Sequence, residues 1–79
     1  MKKRKGAPNI CERFGLAVRA RRDELGWNQE ELAEKADIHR TYLSDVERGS
    51  RNLSLVNIEK LAGALGLSLT ELFRLVDAV

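Results

Sequence analysis

The residues of this chain that are best suited to recognition chemistry lie between positions 40 and 45. Arg40 carries a planar guanidinium that can donate two hydrogen bonds to O6 and N7 of a guanine, and Thr41 offers a hydroxyl and a methyl group to thymine. Ser44 follows one helical turn later on the same face. Asp45 could accept a hydrogen bond from N4 of cytosine, or it could only repel phosphates. These residue types at this spacing predict a helix face that reads DNA bases.

Apolar residues around this group indicate two short helices joined by a tight turn. Leu32, Ala33 and Ala36 fall at i, i+1 and i+4 on one face of a first helix. Leu43 and Val46 fall at i and i+3 of a second helix, so both helices face one hydrophobic seam. Two helices joined in this way present the second one to the major groove of DNA. The stretch therefore predicts a helix-turn-helix.

The amino-acid sequence of this stretch resembles that of a known family. The segment RTYLSDVERG from Arg40 to Gly49, followed by Arg51 and Asn52, resembles the helix-turn-helix of the Cro and phage-repressor superfamily of bacterial regulators. It looks especially like the controller proteins of restriction-modification systems. The resemblance runs from about residue 14 to residue 73. It implies an all-α, compact five-helix domain of the lambda-repressor type.

Two positions depart from the usual family pattern. Asp37 stands in the turn where the family commonly has Gly, and His39 stands where Ser, Thr or Asp is the usual N-cap. Aspartate tolerates the left-handed backbone conformation better than most residues. Histidine is a weak cap, so we expect the start of the second helix to be less firmly fixed than usual.

The resemblance also implies roles for residues around the predicted reading face. It implies contacts to DNA phosphates from Gln29, whose place at a helix N-terminus suits an anion, and from Tyr42, Arg48, Arg51 and Asn52. For Tyr42, packing on the domain surface is an equally good interpretation. The family commonly joins the positions of Arg22 and Glu47 by an ion pair, which would tie the second helix of the motif to the scaffold.

Helix starts elsewhere follow one local pattern, in which a polar N-cap has an apolar residue one before it and another four after it. Asn28, Ser54 and Ser68 fit this pattern, and Asn9 is a plausible cap for the first helix, which Gly26 would end. The fourth helix is expected to bury an apolar set made of Leu55, Ile58, Leu61, Ala62 and Leu65. We therefore expect five helices within residues 9–79.

The last predicted helix carries more apolar residues than one side of a small domain can cover. These residues are Leu69, Leu72, Phe73, Leu75 and Val76. Leu72 is expected to turn inward through its contact with Leu67. We expect Leu69, Phe73 and Val76 to form the interface of a homodimer, with Phe73 at its centre.

The composition describes one small domain. The chain has 79 residues, of which 43% are hydrophobic and 33% are charged, a size at which stability is marginal and dimerisation a natural supplement. No apolar run approaches the roughly 20 residues that span a bilayer, so we expect a soluble, cytoplasmic protein with no membrane partner. Cys11 is the only cysteine, which leaves a structural thiol or a redox sensor as its role and excludes an intramolecular disulfide.

Positive charge is concentrated at the N-terminus. The net charge of +2 includes four cations within residues 1–8, a segment expected to be a flexible basic tail that either contacts phosphates loosely or is inert. The rest has 10 basic (14 − 4) and 12 acidic residues, a balance of −2. DNA affinity must then come from local clusters. Two clusters are visible: Arg19, Arg21 and Arg22, and Arg40, Arg48 and Arg51.

Other function classes find little support in the sequence. The single His39 has no evident pairing with Cys11 or with a serine, and the six glycines are scattered rather than gathered in a phosphate-binding loop. We expect no catalysis, no metal, no cofactor and no small-molecule ligand. The sequence predicts a transcriptional regulator that binds double-stranded DNA sequence-specifically, as a homodimer on a near-palindromic operator. The alternative is a protein-interaction adaptor or antitoxin-like module on the same fold.

Overall fold

The computed structural model describes residues 8–79 and contains five α-helices in that range, without β-strands. The helices are α1 (Ile10–Glu24), α2 (Gln29–Ala36), α3 (Arg40–Glu47), α4 (Leu55–Ala64) and α5 (Leu69–Ala78). The predicted all-α, five-helix fold is confirmed. The basic tail expected at residues 1–8 lies, apart from Pro8, outside the described residues. None of the five helices is long and apolar enough to cross a membrane.

Each helix begins at a polar N-cap whose side chain accepts a hydrogen bond from a backbone N–H of the first turn. Asn9, Asn28 and Ser68 form complete capping boxes with the glutamate three residues later. Ser54 caps α4 without such a partner. At α3 the cap is His39, whose Nδ1 lies 3.4 Å from the amide nitrogen of Thr41. The predicted helix starts are confirmed, and α3 has the longest capping bond.

The turn between α2 and α3 depends on Asp37, which is the one described non-glycine residue with a positive φ. Its φ of 55° and ψ of 49° place it in the left-handed region. Ile38 then donates its backbone N–H to the carbonyl of Ala33 at 3.0 Å, which closes the end of α2. The turn keeps its geometry with Asp in place of Gly, at a conformational cost of about 1 kcal/mol.

The core lies where α1 packs between α3 and α5, with α2 and α4 completing the enclosure. The largest fully buried side chains are Val18, Leu32, Leu43, Val46, Leu61, Leu65, Leu72 and Val76. At the crossing of α1 and α3 the backbones touch, because a Cβ added at Gly15 would lie 2.3 Å from the carbonyl oxygen of Val46. Only glycine therefore fits at position 15 without a shift of one helix.

Two expectations about apolar residues are wrong. Val76 was expected at a dimer interface, but it is 0% exposed, because it lies four residues after buried Leu72 on the same inward stripe of α5. Leu55 was expected in the core, but it is 83% exposed. Burial increases along α4 from Leu55 through half-buried Ile58 to fully buried Leu61, so the first turn of α4 extends beyond the core.

Candidate nucleic-acid interface

The inner face of α3 is held by a buried ion pair. Arg22 in α1 donates from Nε to Glu47 Oε2 at 2.8 Å and from its Nη2 to Oε1 at 2.9 Å. The side chains are only 10% and 4% exposed. The remaining Arg22 nitrogen donates to the carbonyl of Trp27 at 2.7 Å. The ion pair that the resemblance implied is therefore present, and it joins α3 to the scaffold with two parallel bonds.

The charge state of this pair is secure on the arginine side. The hydrogen bond to Glu47 raises the pKa of Arg22 above its ordinary value, against the opposing effect of burial. The guanidinium therefore stays protonated throughout the physiological pH range.

Gln29, at the N-terminus of α2, belongs to the same network. Its Nε2 donates to Glu47 Oε1 at 3.1 Å, so Glu47 links α1, α2 and α3. This bond could not be predicted from the sequence, because it depends on how α2 and α3 cross. A phosphate contact from Gln29 stays a prediction, and the side chain that would make it is already positioned by the carboxylate beneath it.

The outer face of α3 differs between its two ends. At the N-terminal end Arg40 and Thr41 are both exposed. Within residues 8–79 the Arg40 guanidinium makes no hydrogen bond or ion pair, and the Thr41 side chain makes no hydrogen bond, although the Thr41 backbone N–H donates to His39 Nδ1. Both side chains are therefore free to meet a ligand.

At the C-terminal end of the outer face, four residues that the sequence suggested for DNA contact bond to one another. Asp45 binds Arg48 through Oδ1, and its Oδ2 lies 3.2 Å from an Nη2 of Arg51. Arg48 also donates to Ser44 Oγ at 2.6 Å. We call Ser44, Asp45, Arg48 and Arg51 the outer cluster. It joins two residues that were expected to contact bases, Ser44 and Asp45, to two that were expected to bind phosphates, Arg48 and Arg51.

Tyr42 supports this cluster from the side of the domain. Its hydroxyl accepts a hydrogen bond from Asn57 Nδ2 in α4 at 3.1 Å, and it is half-buried. The Arg51 guanidinium lies 5.0 Å from the centre of its ring, within cation–π range. Packing on the domain surface thus describes Tyr42 well. Asn57 was not among the residues expected from the sequence to support this face. Asn52, which follows Arg51, is exposed, and its contact with a phosphate stays a prediction.

The basic cluster of α1 offers less free charge than its sequence suggested. Arg19 lies 3.9 Å from Asp23, and Arg21 lies 2.6 Å from Glu24 and also donates to the carbonyl of Leu65. Arg22 is occupied by the buried pair. Each of these arginines therefore already has a carboxylate partner, and the face around α3 is the better candidate for DNA.

A second candidate surface is apolar and lies between α4 and α5. An open groove there is lined by Leu55, Val56, Ile58, Glu59, Leu69 and Phe73. Of the three residues expected at an interface, Leu69 and Phe73 are exposed on it. Leu55 and Val56 extend it in a way that the sequence did not indicate. The ring centre of Phe73 also lies 6.0 Å from that of Phe14, so this side chain bridges core and surface.

Among residues 8–79, no group of three or more His, Cys, Asp or Glu side chains could hold a metal ion.

Comparison with known proteins matches this geometry to a family. A family model described as helix-turn-helix matches residues 18–72. The control protein C.BamHI of Bacillus amyloliquefaciens is 53% identical over 60 residues, which cover 75% of this chain and 74% of that protein.

Solved structures lead to the same group. The restriction-modification controller protein C.AhdI from Aeromonas hydrophila is 48% identical, with a TM-score of 0.77 over 80% of this chain and 96% of that one. The controller protein C.Esp1396I, solved as a tetramer in complex with its natural 35 base-pair operator, is 30% identical, with a TM-score of 0.83 over 91% of this chain and 95% of that one. The resemblance seen in the sequence is confirmed.

Proposed function

Since the chain belongs to the helix-turn-helix family, we propose that it is a transcriptional regulator that binds double-stranded DNA sequence-specifically as a homodimer, close in kind to restriction-modification controller proteins. The observation that carries this proposal is the contrast within α3. Its inner face is fixed by the buried pair of Arg22 and Glu47, while Arg40 and Thr41 project freely from its N-terminal end. A rigid helix with free polar side chains at its start suits the major groove.

Base reading is assigned to Arg40 and Thr41, with Ser44 one turn further along. Arg40 would pair with a guanine through two hydrogen bonds, which is the commonest specific contact between protein and DNA. Arg48 and Arg51 would bind phosphates, with Gln29 at the N-terminus of α2. Recognition by this face of α3 needs no bound cofactor and no catalytic group, so we infer that the chain acts by binding DNA rather than as an enzyme. We also infer that it acts in the cytoplasm, where bacterial DNA lies.

The groove between α4 and α5 is proposed as the dimer interface. Leu55, Val56, Leu69 and Phe73 expose apolar surface there, and such patches mark interfaces. A two-fold interface is self-complementary, so it would place two α3 helices in an antiparallel relation. Successive major grooves lie about 34 Å apart, which requires a near-palindromic operator with half-sites about 10 bp apart, centre to centre.

The adaptor alternative gains nothing from the structure. An acidic outer face of α3 would have favoured a protein partner. Asp45 is the acidic residue there, and it is bonded to Arg48 and Arg51, so the outer cluster carries a net charge of +1 (2 − 1). A positive face of this kind favours nucleic acid.

Selection from a pool of random duplexes tests the proposal directly. The protein is incubated with 30-bp duplexes at physiological salt, and the bound fraction is amplified and sequenced over several rounds. We expect one near-palindromic sequence whose half-site centres are about 10 bp apart. Recovery of unrelated sequences in the final round would contradict sequence-specific binding.

The interface is tested by Phe73→Arg. A charge at the centre of the groove should give a helical monomer that binds the selected operator far more weakly, because each half-site would then be bound alone. Sedimentation measures the oligomeric state, circular dichroism the helix content, and titration the affinity for the operator.

Val56→Arg in the same groove is the second variant, since Val56 is 62% exposed and its replacement should not disturb the core. Leu16→Arg, an exposed position lining a different cleft, is the matched control and should stay dimeric. Wild-type protein that is monomeric at tens of micromolar and on the operator would contradict the proposal.

A further inference from the structure

One carboxylate on the outer face of α3 occupies both arginines that are proposed to bind phosphate. Asp45 Oδ1 accepts from Arg48, and Oδ2 lies 3.3 Å from Nε and 3.2 Å from Nη2 of Arg51. The Asp45 side chain is 22% exposed, whereas the side chains of Arg48 and Arg51 are 63% and 49% exposed. A base-reading role would leave this carboxylate facing the groove, but here it faces its own arginines.

We propose that Asp45 is a specificity-determining residue that restrains Arg48 and Arg51 and thereby suppresses binding to DNA of unrelated sequence. The proposal rests on the DNA-binding function proposed above. Asp45 acts through the arginines and not through a base, so it is a positioning residue.

The restraint follows from competition between two similar acceptors. A carboxylate and a phosphate accept hydrogen bonds from the same guanidinium N–H groups, with similar geometry. A phosphate that approaches Arg48 or Arg51 from an arbitrary direction must draw the side chain away from Asp45, and it must leave a carboxylate beside the negatively charged backbone of DNA. Both effects oppose binding.

The restraint still permits contact in one register. A guanidinium has five N–H groups, and Asp45 and Ser44 together use only some of those on Arg48. The Arg51 guanidinium is further fixed at 5.0 Å over the ring of Tyr42, which is itself bonded to Asn57. Both arginines can therefore donate to phosphates that lie where this fixed arrangement points.

The two modes of DNA binding should then respond differently to Asp45. On the operator, Arg40 and Thr41 would set the register of α3, so the phosphates would lie where the restrained arginines point. On unrelated DNA the protein has no preferred register and depends on charge alone. Freeing the arginines should therefore increase binding to unrelated DNA more than binding to the operator.

The experiment compares wild type with Asp45→Asn and Asp45→Ala on two probes: the duplex selected by the wild-type protein and a scrambled duplex of the same composition. We expect affinity for the scrambled duplex to rise about 3- to 10-fold, and the salt slope of that binding to steepen by up to about one, as one more counterion is released. Affinity for the selected duplex should rise less, so that the ratio of the two affinities falls at least about 3-fold. Asp45→Ala, which removes the acceptor entirely, should show the larger change.

Two controls separate the restraint from the loss of a charge. Glu30→Gln removes a negative charge from the same motif, and Glu30 makes no ion pair within residues 8–79. It should change both affinities by a similar factor. In a background of Arg48→Gln and Arg51→Gln, Asp45→Asn should behave like Glu30→Gln, because no arginine remains to be released.

Each outcome is decisive. The proposal is supported if Asp45→Asn lowers the ratio of operator affinity to scrambled-duplex affinity, and if this decrease disappears in the background of Arg48→Gln and Arg51→Gln. Equal gains on both duplexes would overturn it in favour of simple charge removal, and loss of operator binding alone would make Asp45 a base reader. No change on either duplex would also overturn it. If the wild-type protein selects no common sequence, the proposed function itself fails, which is a separate result from any of these.

Discussion

Asp45 and Glu47 stand two positions apart in α3, and both bind arginine, but they lie on opposite faces of the helix. The Glu47 side chain is 4% exposed and holds Arg22 with two bonds of 2.8 and 2.9 Å. The Asp45 side chain is 22% exposed, and about half of the surface of its arginine partners is accessible to solvent. The same chemistry therefore has two uses. Where water is excluded, the pair fixes the fold; where water has access, the bonds can be exchanged for bonds to a ligand.

Glu47→Ala should produce the largest effect of the variants that test this comparison. It would leave a buried guanidinium without its carboxylate and would also remove the acceptor of Gln29, so we expect a loss of about 3–5 kcal/mol in the free energy of unfolding. Urea denaturation measures this loss. A double-mutant cycle with Arg22→Ala should show strong coupling, and additive effects of the two variants would contradict a buried pair.

Gly15→Ala tests the inner face by a different route. Its Cβ would lie 2.3 Å from the carbonyl oxygen of Val46, so α1 and α3 would have to separate. We expect a loss of about 1–3 kcal/mol in unfolding free energy, as for overpacked cores. Gly63→Ala in α4 is the matched control, because nothing lies within 4 Å of its added Cβ. It should stabilise the protein by about 0.5–1 kcal/mol through helix propensity. Equal effects of the two variants would show that α1 and α3 do not touch at position 15.

Asp45→Asn should have the smallest effect on stability. Its ion pairs involve arginines whose side chains are 63% and 49% exposed, and such exposed pairs contribute about 0–1 kcal/mol. We expect the urea midpoint to move little, although binding to unrelated DNA changes. A loss comparable to that of Glu47→Ala would mean that the outer cluster holds the fold, and the contrast between the two faces would be wrong.

Local signals made much of the fold predictable. Asn28, Ser54 and Ser68 marked three helix starts because each cap and its flanking apolar residues lie within a few positions in sequence. The pairing of Arg22 with Glu47 came from the family resemblance, since two residues 25 positions apart carry no local sign that they meet.

What could not be predicted depends on tertiary distances. Val76 is an exception, because its spacing of four residues from Leu72, which was itself predicted to turn inward, could have separated it from exposed Phe73. Gly15 appears in sequence as one glycine inside a helix, and only the crossing with α3 shows why it is needed. The bond between Asp45 and Arg51 depends on the loop that returns Arg51 to the end of α3.

The measurement that tests the central claim most directly is the affinity of Arg40→Ala for the selected operator, for operators with single base-pair changes, and for scrambled DNA, with Arg51→Ala as the comparison. If the N-terminal end of α3 reads bases, Arg40→Ala should lose about 1–3 kcal/mol on the operator, relax specificity at one base pair per half-site, and change little on scrambled DNA. Arg51→Ala should weaken binding to both duplexes, with the larger loss on the operator, where the restrained arginine meets a phosphate, and it should reduce the salt slope of operator binding by about one. Equal losses on operator and scrambled DNA for Arg40→Ala would contradict the claim that this face of α3 reads sequence.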